Sequence, residues 1–312
     1  MVAASLDRAI PAPPRAGRAF HGQLRRFHWQ MLAPALAVLI AVTLAPTLFL
    51  VVTSFTPLDL TRSETIGSFA RPLRNYQLLL EDRRFLGSLW IQAKLSFWTV
   101  GLQLLIGLGF ALVLNMRSSL LRALRTVFLI PMVLPPIVVA IIWKVLYTPD
   151  ISPFHWLVGA LGWPVPSLIT DSNWALTAII IADTWEWFPF TMLMILAALQ
   201  MMPEELVDAA RVDGATAWQL TRHITLPYLK GALLVAGLFR LIDSIKAFPL
   251  IYILTEGGPG SVTEVTNYYG FLQAFNFSYL GYSSAITVIL VGITVCLSWL
   301  ILSIVGWRTD VE

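Results

Sequence analysis

The sequence is short of charge. Of its 312 residues only 12% are Asp, Glu, Lys or Arg, whereas 57% are apolar and the mean hydropathy is +0.74. A soluble domain carries about a quarter charged residues, so this deficit excludes an ordinary soluble enzyme and places the chain in a bilayer. Cysteine is nearly missing too. The one cysteine, Cys296, lies in an apolar run, can form no internal disulfide, and reads as a small packing residue. No phosphate loop of the G-x-x-x-x-G-K-[ST] type occurs, so the chain is not expected to hydrolyse ATP. His21, His28, His155 and His223 have no metal-ligand spacing, and no Ser-His-Asp or Cys-His set falls in a common layer, which argues against an intramembrane enzyme. The net charge of +3 resides in arginines of flanks and loops and gives no sign of a nucleic-acid partner.

What the sequence does have is apolar length. Residues 1–29 form a tail rich in Ala, Pro and Arg, with Arg8, Arg15, Arg18, Arg25 and Arg26, expected to lack regular structure. A first span is expected over 30–55, longer than a signal-peptide core and so read as a retained anchor. A polar loop over 56–84 precedes a second span, 85–116. The third span, 125–147, contains Pro131, Pro135 and Pro136 and should be kinked or unwound where the prolines remove backbone donors. A short helix is expected at 154–161 within the loop 148–173. The fourth span is 174–201, the fifth 228–254 and the sixth 281–307, followed by a short C-terminus at 308–312. The fold class is therefore an all-α membrane protein with six transmembrane helices.

Loop charge gives its orientation. The tail, the connection holding Arg117, Arg122 and Arg125, and the connection holding Arg211, Arg222 and Lys230 are basic, whereas 148–173 and 255–280 have no Lys or Arg. The positive-inside rule then makes both termini cytoplasmic. The loop 56–84 disagrees, carrying Arg62, Arg71, Arg74, Arg83 and Arg84, and is long enough to be a small folded unit outside the cytoplasm.

Between the fourth and fifth spans lies a polar stretch, Pro203 to Pro227. Pro203 with Glu204 and Glu205 is a helix start, because proline suits the first turn and acids complement the positive end of the helix dipole. Leu206, Ala209, Ala210 and Asp213 recur at helical spacing, Gly214 interrupts, and a second helical piece over about 215–223 is expected to end at Leu226-Pro227. The stretch reads as a helix-turn-helix flat on the membrane surface. It is either a dock for a soluble partner or an orderly loop.

Two spans carry charge where each residue costs about 2.5–3.5 kcal/mol to insert. Asp183, Glu186, Trp187 and Phe190 share one helical face of the fourth span; Arg240, Asp243 and Ser244 share one of the fifth, with Lys246 beside them. Such groups must face water or one another. Beside Trp185 and Trp187 they fit a pathway for a hydroxyl-rich solute, and Arg240 suggests an anionic sugar derivative. The other reading is an ion-pair network that only holds helices together. A stand-alone transporter using Asp183 and Glu186 as proton carriers is the alternative function.

The segment Asp208-Ala209-Ala210, three residues, Gly214, nine residues, Ile224-x-Leu226-Pro227 resembles the EAA loop of ABC importer permeases, with Asp208 in place of the usual glutamate. The stretches 238–248 and 254–260 resemble the carbohydrate-uptake branch, similar to the maltose and glycerol-phosphate systems. The resemblance implies a type I ABC importer permease fold over 85–307. It implies that Glu205, Asp208, Ala209, Ala210, Asp213, Gly214, Ile224, Leu226 and Pro227 couple to the ATPase. It implies partners: a second homologous permease, two cytoplasmic ATPases that bind ATP and Mg, and an extracytoplasmic solute-binding protein delivering a sugar-like substrate. It implies no cofactor in this chain and a location in the cell (inner) membrane of a bacterium or archaeon. In the maltose-type subunit the sugar contacts fall in the spans on either side of the EAA loop, which coincide here with the faces carrying Asp183 and Arg240.

Overall fold

A computed structural model describes residues 18–116, 118–162 and 167–306. Arg8, Arg15, Arg117 and the C-terminal residues 308–312 fall outside them. The described residues are helical with no strand, and they fall into two compact units divided between Leu50 and Val51. The first unit is most of α1, Arg18–Ser54. The helix begins within the stretch expected to be irregular: residues 18–29 contain no proline and several good helix formers, so they extend the apolar helix backwards.

The second unit opens with the loop 56–84, which is folded as anticipated. It contains a single 3-10 turn at Ser63–Thr65 and α2, Arg74–Glu81. The buried Asn75 side chain donates to the carbonyls of Ser54 and Thr56, both at 2.8 Å, tying the loop to the end of α1. Next, α3, Arg83–Leu114, starts at an Asp82 cap whose carboxylate accepts from the Arg84 and Phe85 amides.

The expected third span is three pieces: α4, Ser119–Phe128; α5, Ile130–Val133; and α6, Pro136–Tyr147. The breaks fall beside Pro131 and at Pro135-Pro136, because proline has no N–H and forces its predecessor out of the helical region. Then come α7, Pro153–Ala160, and α8, Ala175–Gln200. The surface stretch contains α9, Glu204–Val212, and α10, Ala217–Leu220. Here the expected stop at Pro227 fails. A π turn at Thr221–Thr225 runs directly into α11, Leu226–Ile245, so the helix that begins at Ala217 continues into the next span. Pro227 falls in the first turn of α11, and a widened turn before it is one way to absorb its missing donor.

The fifth span also differs. It ends at Ile245, breaks over Lys246–Phe248, and resumes as α12, Pro249–Leu254. Finally α13, Thr266–Phe271, passes through a π turn at Leu272–Asn276 to α14, Leu280–Gly306. Five helices among the described residues are long and apolar enough to cross a membrane: 29–54, 83–114, 175–200, 217–245 and 280–303.

The centre of the second unit is the α3–α8 pair, which run in the same direction. Gly107 makes this possible: a Cβ there would meet the Thr191 side chain and, at 2.8 Å, the Met192 amide nitrogen. Two apolar clusters pack around the pair. One gathers Leu95, Val139, Ile179, Ala182 and Ile251; the other gathers Ala111, Leu114, Met192, Ile195, Leu199 and Leu229. A layer of polar side chains lies between them.

Candidate functional site

That layer is built from three helices. On α3, Ser88, Gln92, Ser96, Thr99, Gln103 and Gly107 recur at steps of four and three, so one stripe of small and polar residues faces α8 and α11. From α8 come Asp183, Glu186 and Trp187, and from α11 Arg240, Asp243 and Ser244. Arg240 is the hub. Only 1% exposed, its Nε donates to Gln103 Oε1 at 2.8 Å and its Nη1 to Asp243 Oδ2 at 3.1 Å. Its Nη2 lies 3.7 Å from Asp183 Oδ2, and its guanidinium sits 4.5 Å from the centre of the Trp187 ring. Gln103 completes the circuit by donating from Nε2 to Asp183 Oδ2 at 2.8 Å. A buried guanidinium tolerates this setting because its planar fork meets two acids, an amide and an aromatic face at once. Arg240 is therefore committed to internal partners. The better-placed cation for a ligand is Lys246, 68% exposed with its Nζ 3.9 Å from Asp243 Oδ1.

Ser244 points away from this hub. Its Oγ donates to Ser96 Oγ at 2.8 Å while its carbonyl accepts from Gln92 Nε2 at 2.9 Å, so it joins α11 to α3. Phe190 likewise sits beside the layer, its ring 6.3 Å from Phe239. Glu186 behaves differently from every other acid here. It is 1% exposed, and its Oε1 has no hydrogen-bond partner among the described residues.

Asp183, Glu186, Trp187, Arg240, Asp243 and Lys246 line a cavity of about 200 Å3, closed on the other side by the Phe248-Pro249 break and Pro136. Phe248 also lines a neighbouring cavity of about 290 Å3, stacks with Tyr252 at 5.4 Å and meets Phe271 edge to face at 5.0 Å. Fixed charges, an unpaired carboxyl and flat rings on one cavity can hydrogen-bond and stack a hydroxyl-rich ring. Of the residues picked from sequence, five line the cavity and two, Phe190 and Ser244, flank it. Sequence reasoning missed Gln103, Gln92, Ser96 and Phe248. The first three were visible as a polar stripe at helical spacing in an apolar span. Phe248 was not, because its role follows from the break after Ile245.

The surface stretch is built in the opposite way. No residue of α9 is buried. Glu205, Asp208, Ala209 and Asp213 are exposed, Ala210 is half-buried, and Asp208 pairs with Arg211 at 3.3 Å. Gly214 turns the chain at φ +80°, a left-handed conformation that side chains with a Cβ rarely adopt. A capping box then starts the next helix: Thr216 Oγ1 accepts from the Gln219 amide and Gln219 Oε1 from the Thr216 amide. Ile224 and Leu226 are half-buried and Pro227 is exposed.

Comparison with known proteins agrees with this architecture. Residues 103–306 match the family described as binding-protein-dependent transport system inner membrane component. The chain is 37% identical to the trehalose/maltose transport system permease protein of Thermococcus litoralis, over 76% of this chain and 80% of that one. It is 34% identical to the sulfoquinovosyl glycerol transport system permease protein of Agrobacterium fabrum, covering 88% and 89%. Among solved structures, a bacterial ABC transporter that imports the acidic polysaccharide alginate has the same fold, with TM-score 0.82 at 18% identity over 94% of this chain and 100% of that one. A bacterial alginate ABC transporter in complex with an alginate pentasaccharide-bound periplasmic protein gives TM-score 0.80 at 17% identity, covering 95% and 100%. The chain therefore belongs to the binding-protein-dependent transport system inner membrane components, as a membrane-embedded permease of the sugar-importing ABC transporters.

Proposed function

We propose that this chain forms the translocation path of an ATP-driven importer for a sugar or sugar derivative, and that its own residues hold the solute in transit. The observation that carries this is the cavity in the middle of the second unit, where Glu186 keeps an unpaired carboxyl oxygen beside Asp243, Lys246 and Trp187. A buried carboxyl without a partner costs free energy in a finished core, and a solute hydroxyl would satisfy it. The named substrates of the relatives, trehalose or maltose and sulfoquinovosyl glycerol, support a saccharide.

In this reading α4–α6 complete a sixth crossing and both termini face the cytoplasm, as does the Glu204–Pro227 stretch. That stretch docks on a separate ATPase, one of two that bind ATP and Mg, and a second homologous permease and an extracytoplasmic binding protein complete the assembly. The side chains of Val212, 88% exposed, and Trp218, 68% exposed, fit such a dock, because large apolar side chains left uncovered on one short stretch mark an interface. Closure of the ATPases then moves this stretch. Because α10, the π turn and α11 are continuous, the push reaches Arg240 along a single helix.

The test is uptake by the complete transporter in proteoliposomes with its binding protein. Glu186→Ala and Asp243→Ala should each lower uptake by about tenfold or more, the scale of one lost charged hydrogen bond. Gly214→Pro, or Trp in place of Ala210, should abolish ATP-driven uptake while the subunit still inserts and assembles. Uptake driven by a pH gradient in this chain alone, indifferent to ATP, would overturn the reading in favour of a proton-coupled transporter.

A further inference from the structure

A larger cavity lies at the other end of the same unit. Its wall includes Asp82, which caps the start of α3, whereas the far end of α3 packs Leu114 against Leu199, just before the Glu204–Pro227 stretch. The cavity holds about 620 Å3, within the range of small-molecule sites and large enough for an oligosaccharide fragment. It is formed largely by the loop 56–84, the one loop whose five arginines contradict the charge pattern of the rest of the chain.

Its acids are already engaged. Asp82 Oδ2 accepts from Tyr269 and Tyr282 hydroxyls at 2.6 and 2.5 Å, and Oδ1 from two backbone amides. Asp59 Oδ1 accepts from the Thr61 amide and hydroxyl, and its other oxygen lies 3.5 Å from Arg62. Burial by itself would raise the Asp82 carboxyl, but the tyrosine hydroxyls and the backbone amides outweigh it and hold it below its ordinary value. What is left open points to a ligand. Gln273 lines the cavity, is only 8% exposed, and its side-chain amide has no partner among the described residues. The Arg74 guanidinium likewise has no partner among the described residues, and the Tyr279 ring, 48% exposed, stands at the same wall.

We propose that this cavity is a second saccharide site, separate from the central one and selective for a sugar bearing an acidic group. Arg74 meets the acid as a charge-assisted fork, Gln273 takes ring hydroxyls and Tyr279 offers a flat face. The inference rests on the sugar-importer reading but not on which solute the central cavity prefers.

The test uses the purified complete transporter in nanodiscs, titrated calorimetrically with trigalacturonic acid and with maltotriose. Wild type should bind the acidic trimer in a salt-sensitive manner, and maltotriose more weakly at this site. Arg74→Gln, a surface change, should weaken the acidic trimer by roughly tenfold or more, the scale of a lost charged contact. Gln273→Leu should weaken it as well, and Asp243→Asn in the central cavity should leave it unchanged. Binding that is lost only in Asp243→Asn overturns the proposal. So does an equal affinity for maltotriose through the same residues, or an Arg74→Gln effect confined to affinity for the binding protein, which would make the cavity part of that dock. In each of these cases ATP-driven uptake by wild type would leave the importer reading standing, whereas its absence would remove both.

Discussion

The polar layer around Arg240 and the stretch from Glu204 to Pro227 are two places where this apolar chain gathers charge, and they solve opposite problems. Inside, Arg240, Gln103, Asp183 and Asp243 form a closed circuit in which each charged group touches an opposite charge or an amide. Outside, α9 buries nothing, and Val212 and Trp218 stand uncovered. In the low-dielectric interior an unpaired ion is expensive, so pairing must come from within the chain. At the surface water satisfies the charges, and the apolar groups stay uncovered. The lesson is that the circuit is satisfied within the chain, whereas the surface stretch leaves large apolar groups uncovered. The Glu186 carboxyl, inside yet unpaired, belongs to neither.

The sharpest way to break this comparison is to open the circuit. Arg240→Met should destabilise the subunit by about 3–5 kcal/mol, because the buried Asp183 then loses the cation it is paired with. The measure is the unfolding midpoint in detergent and the yield of assembled transporter. Arg240→Met combined with Asp183→Leu should recover most of the loss, since a pair removed together leaves no orphan charge. A single substitution that is harmless would mean water reaches the layer freely.

Next in size is Gly107→Val. The α3 and α8 backbones approach so closely here that any Cβ meets Thr191 and the Met192 backbone, which cannot yield. Overpacking of this kind costs about 1–3 kcal/mol. Thr191→Ala should relieve part of it, and a thermal shift of each variant in detergent checks both statements. No relief would place the strain in the backbone contact alone.

How much of this was legible beforehand differs between the two regions. The faces of Asp183 and Arg240 were readable because charge in an apolar span must have a reason, and helical periodicity says which residues share it. The pairing was not readable, since the partner, Gln103, comes from a helix 80 residues away in sequence from Asp183. The proline breaks in α4–α6 were anticipated, but the break that puts Phe248 on the cavity was not. Pro249 lay inside an unbroken apolar run, where hydropathy alone favours continuity. The surface stretch showed the reverse. Its two helices and the Gly214 turn were plain from local signals, whereas the stop at Pro227 was wrong because a π turn lets the helix run on.

A smaller effect is expected at the Asp82 cap. Asp82→Ala removes an N-cap, worth about 0.5–2 kcal/mol, and leaves the Tyr269 and Tyr282 hydroxyls without an acceptor. Because the folded-state carboxyl titrates below its ordinary value, its contribution is fully present above the unfolded value near 4 and fades as pH falls through the lower folded value. Unfolding midpoints of wild type and variant should therefore differ at pH 7 and converge only below about pH 4. A gap that closes near neutrality would assign the shift to another group.

The smallest change in stability is expected where the change in function is largest. Trp218→Ala removes a ring that contacts solvent over most of its surface, so the unfolding midpoint should move by no more than a substitution within about 0.5 kcal/mol allows. The capping box of Thr216 and Gln219 stays in place, so α10 should still form. If the stretch nonetheless transmits the ATPase stroke, ATP-driven uptake should fall while solute binding to the complete transporter stays as it was. That split separates the two regions cleanly: opening the Arg240 circuit lowers stability and uptake together, whereas trimming Trp218 lowers uptake alone. Should Trp218→Ala unfold the subunit as readily as Arg240→Met does, the stretch would be part of the core's own packing, and the division between a closed interior and an open surface would not hold.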